Sequence, residues 1–518
     1  MTTAESQVKQ LPPAAALDAD ELRQLSRLRR WGTAGALLMM IGATSSYGSA
    51  SPIPNPFDGN RILGLMSRLS TATLAISYSG MGLLVMCWLL IGRLAAPGRV
   101  RRLSRSQLSH TLAMWTVPFL VTPPIFSRDV YSYLAIGSMS LHGFNPYDSG
   151  PYDVLGDSDT FSHQVDGRWQ HTPTPYGPAY LLIAKGIVAV SGQHLILAIL
   201  LQRLVELIGV MAIIWALPRL ARRCGVDPVA ALWLGALNPL VLFHLIAGGH
   251  NEALMIGAML AGLVVALDRS WVLGVVIVTI GVAVKATAAM ALPFLVIALA
   301  LRRSRRWPDL VRQAAMVAAV ALGSFGLISW LAGYGLGWIA GLGAPGTVRS
   351  FLSVTTSMGV GAGQIGLLLG LGDHADATIS VMQPLGTGAG TLVAVYLMWL
   401  TWRGRLEPIL GLGLALGAFV LLGPVIQPWY LLWAALPLAA ASSASRFRTA
   451  AVWVTAAYSL IIMPNGGTIP PFTIAAAVST AAVVAGIGLF LLWRTGLPTN
   501  KQADGPEAGR PYHTERHR

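Results

Sequence analysis

Apolar runs near the ~20-residue length that crosses a hydrocarbon core recur along almost the whole of this chain. They lie near 31–48, 70–92, 109–126, 195–217, 229–247, 252–267, 271–284, 286–301, 311–332, 378–402, 408–424, 428–442, 449–464 and 473–493. A chain segment in lipid must satisfy its own backbone hydrogen bonds, so serial runs of this kind form helices. Only 11% of the residues are charged, where soluble domains carry roughly a quarter. The expectation is an all-α polytopic membrane protein with about 14 transmembrane helices.

Charge orients the threading. The net charge of +14 sits in short loops: Arg27, Arg29 and Arg30; Arg93 to Arg105; Arg219 to Arg223; Arg302 to Arg306; Arg403 and Arg405; Arg446 and Arg448. Short basic loops between apolar runs mark the cytoplasmic side. No soluble domain gathers them into a patch, so nucleic acid is not an expected partner. Two further apolar stretches, 177–191 and 361–371, could be counted as spans. If 177–191 crossed, the Arg219–Arg223 loop would face outward. With both stretches lying as outer juxtamembrane helices, every basic cluster falls inside and both termini are cytoplasmic. The expected organisation is a disordered N-terminal tail over 1–30, a transmembrane domain over 31–494 with outer loops 127–194 and 333–377, and a disordered C-terminal tail over 495–518. The tail at 1–30 is too polar for a cleavable signal. Two cysteines, Cys87 and Cys224, exclude a disulfide framework.

The unusual polar chemistry gathers at the outer ends. Asp129, in SRDVYSY (127–133), follows the third run. It is either an interfacial partner of Arg128 or a base whose pKa is raised by aromatic shielding from Tyr131 and Tyr133. His250 and Glu252, in GGHNEALM, sit at a junction with almost no loop, at a depth where ionisable groups usually face a cavity or a partner. A satisfied structural couple fits them equally well. Lys285 is one of four lysines in the chain; it either snorkels to headgroups or binds phosphate. Arg349 is the only Arg or Lys in 333–377 and suits bidentate phosphate recognition. Gln427, Trp429 and Tyr430, in IQPWYLLW, match an aromatic belt or a sugar pocket. Asp157-Ser158-Asp159 reads as loop polarity. No HExxH or CxxC spacing exists, and no metal site is expected.

These residues come from distant segments, yet the threading puts all of them on one face, which points to one site. A glycosyltransferase using a lipid-phosphate sugar predicts large ordered outer loops, an early acidic residue, cations at phosphate level and no nucleotide fold. A secondary transporter predicts internal repeats, broken helices and charges at the midplane. No clear repeat is visible, and the charges favour one face. Lipid flipping stays open as an alternative.

The segments SRDVYSYLAIGSMSLHGFNPYDSGP, TPTPYGPAYLLI, LWLGALNPLVLFHLIAGGHNEALMIGAML, GLLLGLGDH and VIQPWYLLWA resemble the polyprenol-phosphate-mannose-dependent α-1,6-mannosyltransferases of the actinobacterial envelope. The resemblance runs from about residue 20 to 495 and is nearest to the type that starts the mannan backbone of lipomannan and lipoarabinomannan. It implies a C-type glycosyltransferase (GT-C) fold in the plasma membrane, with its active site on the extracytoplasmic face. It implies a polyprenyl-phosphate-mannose donor, a phosphatidylinositol mannoside or lipomannan acceptor, and no cofactor or metal. Asp129 takes the position of the catalytic base. Lys285 and Arg349 are then candidates for the donor phosphate. Arg128, Tyr131, Tyr176, His250, Glu252, Gln427 and Tyr430 are candidates for binding sugar or orienting the site.

Overall fold

A computed structural model describes residues 15–343, 346, 350, 352–467 and scattered positions between 475 and 490. Among these residues the chain is helical, with no β-ladder beyond a single bridge between Ala15 and Arg101. The first helix, Ala19–Gly42, begins well before residue 31, so the second half of the expected tail is ordered. The cause is local. Asp18 accepts the Glu21 N–H at 2.9 Å while the Glu21 carboxylate accepts the Asp18 N–H at 3.1 Å, a reciprocal cap that nucleates the helix. Asp18 and Glu21 also pair with Arg101 and Arg99. The tail at 495–518 and most of the run at 473–493 lie outside the described residues.

Among the described residues five helices are long and apolar enough to cross a bilayer by themselves: Ser70–Ala95, Leu195–Arg223, Ala286–Arg303, Trp307–Ala332 and Ala375–Trp402. A sixth crossing can be made from two pieces, Val241–Ala247 and Glu252–Asp268, bent by 110°. Other apolar runs are helical but shorter, as in Pro178–Ser191, Trp271–Val284 and Pro408–Leu422. Hydropathy windows pass over breaks that the backbone makes. The run at 109–126 stops as a helix at Leu120, ahead of Pro123 and Pro124. The run at 229–247 divides into Pro228–Leu234 and a π-turn over Val241–Ala247. Pro239 has no N–H to continue the ladder. Asn238 patches that gap, its amide donating to Leu234 O at 3.0 Å and its oxygen accepting the Leu240 N–H at 2.8 Å.

Leu195–Arg223 and Glu252–Asp268 cross closely because both present glycine. A Cβ on Gly257 would lie 2.5 Å from the Gly209 carbonyl oxygen. The arginine loops converge at one end of the bundle, where Arg223 pairs with Asp268 and Arg102 with Asp227. Trp307 packs on Trp402 at 5.7 Å at the junction after the Arg302–Arg306 loop. Glu252 is at the other end of the same helix as Asp268, roughly 24 Å away at 1.5 Å per residue.

The broken helices are held by a cation that the sequence reading passed over. Arg203 lies inside the spanning helix Leu195–Arg223 and is 3% exposed. Its guanidinium donates to Ile246 O at 3.2 Å and Ala247 O at 3.1 Å, at the end of the π-turn. It also donates to Leu120 O at 2.9 Å and Thr122 O at 2.7 Å, where the earlier helix stops. Carbonyls at a helix C-terminus lack intrahelical donors and attract positive charge, so one side chain closes two helix ends. Arg203→Met leaves these carbonyls unpaired at about 1–3 kcal/mol each. The expected result is a clear fall in the melting temperature of the detergent-solubilised protein, and an unchanged melting temperature overturns this role.

Candidate active site

Two turns, one of them strained, bring the polar residues together. Phe126 is the one non-glycine with positive φ (74°) among the described residues, a conformation costing about 1–3 kcal/mol. Its N–H donates to Pro464 O at 2.6 Å and its ring stacks on Phe243 at 5.3 Å, which holds the turn. Ser127 Oγ then accepts the Asp129 N–H at 3.0 Å, and Asp129 opens the helix Asp129–Leu141. A carboxylate is favoured at that helix end by the dipole. Across from it, Gly248 and Gly249 (φ 64°) turn the chain from the π-turn into Glu252–Asp268, so that His250 and Glu252 face Asp129.

Two carboxylates, an imidazole and an ammonium group meet in a row at this junction. His250 Nδ1 lies 3.4 Å from Asp129 Oδ2 and 4.0 Å from Glu252 Oε2. Glu252 Oε1 accepts the Lys285 ammonium. Lys285 falls where the helix Trp271–Val284 ends, in extended backbone (φ −151°, ψ 125°). Its stem turns inward instead of snorkelling, and Nζ lies 4.7 Å from the Tyr430 ring, 5.3 Å from Trp433 and 5.8 Å from Tyr176. A Cβ on Gly177 would lie 2.3 Å from the Ala283 carbonyl oxygen, a close approach that presses Tyr176 toward Lys285. The Asp129 and Lys285 side chains are 19% and 14% exposed, whereas His250 and Glu252 are at 0%. The outer two therefore face open space and the inner two stand behind them. The His250 ring is sandwiched in place by Trp429, stacked at 3.8 Å and 25°.

The space in front is a cavity of about 1590 Å³. Its polar wall includes Asp129, Tyr176, Lys285, Gln427, Trp429 and Tyr430. Its apolar wall comes from the C-terminal helices, with Pro384, Phe419, Leu460 and Ile461. Carboxylate, ammonium and stacked rings thus share a chamber with aliphatic surface, an arrangement suited to a hydroxylated headgroup on a lipid chain.

Several expectations are corrected by this geometry. Asp129 does not pair with Arg128. The Arg128 guanidinium donates to Gln164 O at 2.9 Å and Ser51 O at 3.0 Å, and lies 4.6 Å over the Tyr131 ring. The Tyr131 hydroxyl donates to Ala50 O at 2.6 Å and is fully buried. Arg128 and Tyr131 staple outer loops together and are not among the cavity-lining residues. Nor is the Asp129 pKa raised. Burial pushes it up, but the His250 hydrogen bond and charge, the Ser127 hydroxyl and Lys285 hold it below the ordinary carboxylate value. Arg349 lies outside the described residues. Asp159 accepts the Phe161 and Ser162 N–H groups at 2.9 and 2.8 Å, a local loop contact in keeping with its reading as loop polarity. Among the described residues no three His, Cys, Asp or Glu side chains are grouped to hold a metal ion.

Asp166, Arg168 and Trp169 also line the cavity without a signal in the sequence, because single residues in a polar loop carry no periodicity, and Gln383 lines it from inside the helix Ala375–Trp402. The buried set Gln202, Arg203 and Glu206 was detectable. Charged residues within an apolar 29-residue helix are expensive and rarely incidental.

The family model described as alpha-(1->6)-mannopyranosyltransferase, N-terminal domain, matches residues 29–301. A second, described as MptB C-terminal domain, matches residues 355–490. The chain is 41% identical to a probable alpha-(1->6)-mannopyranosyltransferase of Mycolicibacterium smegmatis, over 93% of this chain and 91% of the relative. It is 39% identical to an alpha-(1->6)-mannopyranosyltransferase of Mycobacterium tuberculosis, over 93% and 90%. Identity to alpha-(1->6)-mannopyranosyltransferase B of Corynebacterium glutamicum is 34%, over 93% and 84%. No solved structure matches the chain.

The Lys285–Glu252 pair makes a specific stability prediction. Lys285→Met strands the buried Glu252 carboxylate and is expected to cost about 3–5 kcal/mol. Adding Glu252→Gln should recover much of that loss. A double-mutant cycle on unfolding in detergent checks it, and strictly additive effects would show that the pair is not coupled.

Proposed function

The chain belongs to the alpha-(1->6)-mannopyranosyltransferase family, and from that premise we propose that it moves mannose from polyprenyl-phosphate-mannose to the 6-hydroxyl of a mannosylated phosphatidylinositol or lipomannan acceptor. The product is an α-1,6 bond made with inversion. The match of residues 355–490 to the MptB C-terminal domain favours the backbone-initiating type. The observation that carries the reading is that the Asp129 carboxylate and the Lys285 ammonium open onto one chamber of about 1590 Å³ with both aromatic and aliphatic walls. Small-molecule pockets hold about 300–1,000 Å³, so this chamber has room for two substrates.

In this scheme the acceptor O6–H bond gives its proton to Asp129 as O6 bonds to C1 of the donor mannose. The bond from C1 to the phosphate oxygen breaks on the opposite face. Polyprenyl phosphate departs with its electron pair and needs no acid, because Lys285 offsets the added charge. Arg349 is the second candidate for that phosphate. A carboxylate of lowered pKa is a modest base, which suffices where the developing sugar cation acidifies the attacking hydroxyl. His250, clamped by Trp429, orients Asp129. Glu252 orients Lys285, and Tyr176, Gln427 and Tyr430 contact sugar. We place the bundle in the plasma membrane as a C-type glycosyltransferase, with the arginine-rich end and both termini cytoplasmic and the chamber extracytoplasmic. Support comes from the positive-inside rule and the roughly 24 Å between Glu252 and the arginine end.

The deciding assay supplies membranes with radiolabelled mannosyl phosphopolyprenol and defined phosphatidylinositol mannosides, then determines the product linkage. Asp129→Asn should lower transfer by about 10²–10⁴-fold with the melting temperature retained, and wild-type turnover would remove Asp129 as the base. The pH dependence has a defined sign. Asp129 is held below the usual carboxylate range, so the acid limb of kcat/KM lies at correspondingly low pH. His250→Gln removes the foremost lowering influence, Asp129 then protonates at higher pH, and the limb moves up. A limb that stays put counts against the His250–Asp129 coupling.

A further inference from the structure

We propose that Arg168 binds the phosphodiester of the lipid acceptor, giving the chamber a second phosphate site distinct from Lys285. This rests on the transfer reaction proposed above. That reaction brings two lipid-borne anions into one cavity, and their mutual repulsion must be offset by two cations. Among the described residues two cationic side chains line the wall, Lys285 and Arg168.

The two cations are held in opposite ways. Lys285 is bound to a fully buried carboxylate and lies in a cage of three rings. Arg168 sits in the outer loop, with its side chain 59% exposed. Its Nε and Nη2 reach the two oxygens of Asp166 at 2.8 and 3.2 Å, and Nη1 has no hydrogen-bond partner among the described residues. Exposed ion pairs contribute little net stability, so this one can be exchanged or shared when a phosphate arrives. Arg also matches phosphate geometry with two parallel N–H bonds.

The loop is preorganised for that exchange. Asp166 Oδ1 accepts the Arg168 N–H at 3.1 Å and Asp166 O accepts the Trp169 N–H at 2.8 Å, a tight turn that presents the guanidinium. Trp169 is half-buried against the cluster of Val130, Tyr131 and Leu134 on the Asp129 helix, so the turn is anchored to the element that carries the base. The Asp129 charge is felt at Arg168 as well as at Lys285, which puts the carboxylate within electrostatic reach of both cations. Lys285 belongs with the phosphate whose bond breaks. The acceptor phosphodiester is separated from the attacking hydroxyl by inositol and mannose, and it needs a cation farther out, on an accessible loop.

The test compares two acceptors, a phosphatidylinositol mannoside and an uncharged alkyl mannoside with the same terminal sugars, while the donor is titrated separately. In Arg168→Gln, kcat/KM is expected to fall about tenfold more for the anionic acceptor than for the neutral one, through KM. Asp166→Asn, which frees the guanidinium, should shift the same ratio in the opposite direction. A purely structural loop role would move both acceptors alike. Equal losses for the two acceptors, or a rise confined to the donor KM, overturn the assignment while leaving mannose transfer intact as a reading. A wild-type protein that transfers mannose to neither acceptor overturns the parent reading and this one together.

Discussion

Two carboxylates, Asp129 and Glu252, stand at the ends of two different helices with only His250 between them, and Lys285 completes the row. A buried carboxylate without a partner is prohibitively costly, whereas a polar ring and an ammonium group in contact make burial tolerable. The rest of the structure depends on that requirement. The four side chains come from three segments, the turn after Leu120, the junction after Ala247 and the break after Val284. Each segment must end its helix at the same level for the charges to meet.

Helix ends inside an apolar bundle carry their own cost, because the last carbonyls have no donors. Here the cost is met by Arg203 from a continuous neighbouring helix, by Asn238 across the Pro239 gap, and by the Ile125 N–H, which donates to Ala247 O at 3.2 Å. Irregular backbone at membrane depth is tolerated where it is enclosed by protein or lines a cavity, and both conditions hold here. Broken helices are also an expected mark of a transporter. In this molecule the cation they enclose, Arg203, is tied to the carbonyls of the broken ends themselves. They deliver Asp129 and Glu252 to the end opposite the arginine loops, where a carboxylate meets a chamber of about 1590 Å³ with polar and aliphatic walls.

The polar and apolar walls of that chamber divide the work. Rings from Tyr176, Tyr430 and Trp433 surround the one ammonium group, while Trp429 braces His250. The aliphatic surface comes mainly from the C-terminal helices, whereas the polar wall draws on both halves of the chain, with Asp129, Tyr176 and Lys285 from one and Gln427 and Tyr430 from the other. Residues 29–301 and 355–490 fall under separate family models, and the chamber takes its wall from both.

Much of this was legible in one dimension. Apolar runs marked where helices would form, because burial in lipid is a property of composition summed over a window. Scarcity marked the site: Asp129, His250, Glu252 and Lys285 stand out in a chain with 11% charged residues, and the structure brings them within contact of one another. What stayed hidden was every choice of partner. Whether Asp129 takes Arg128 or His250, and so whether its pKa rises or falls, is decided by distances between segments more than a hundred residues apart. A windowed sum also blurs Pro239 and Pro124 into their apolar surroundings, so the helix breaks were missed. The Asp18–Glu21 cap was written in the sequence and overlooked. Arg168 faces the chamber only because the fold turns that loop inward over the Asp129 helix, and no periodicity in the chain announces such a turn.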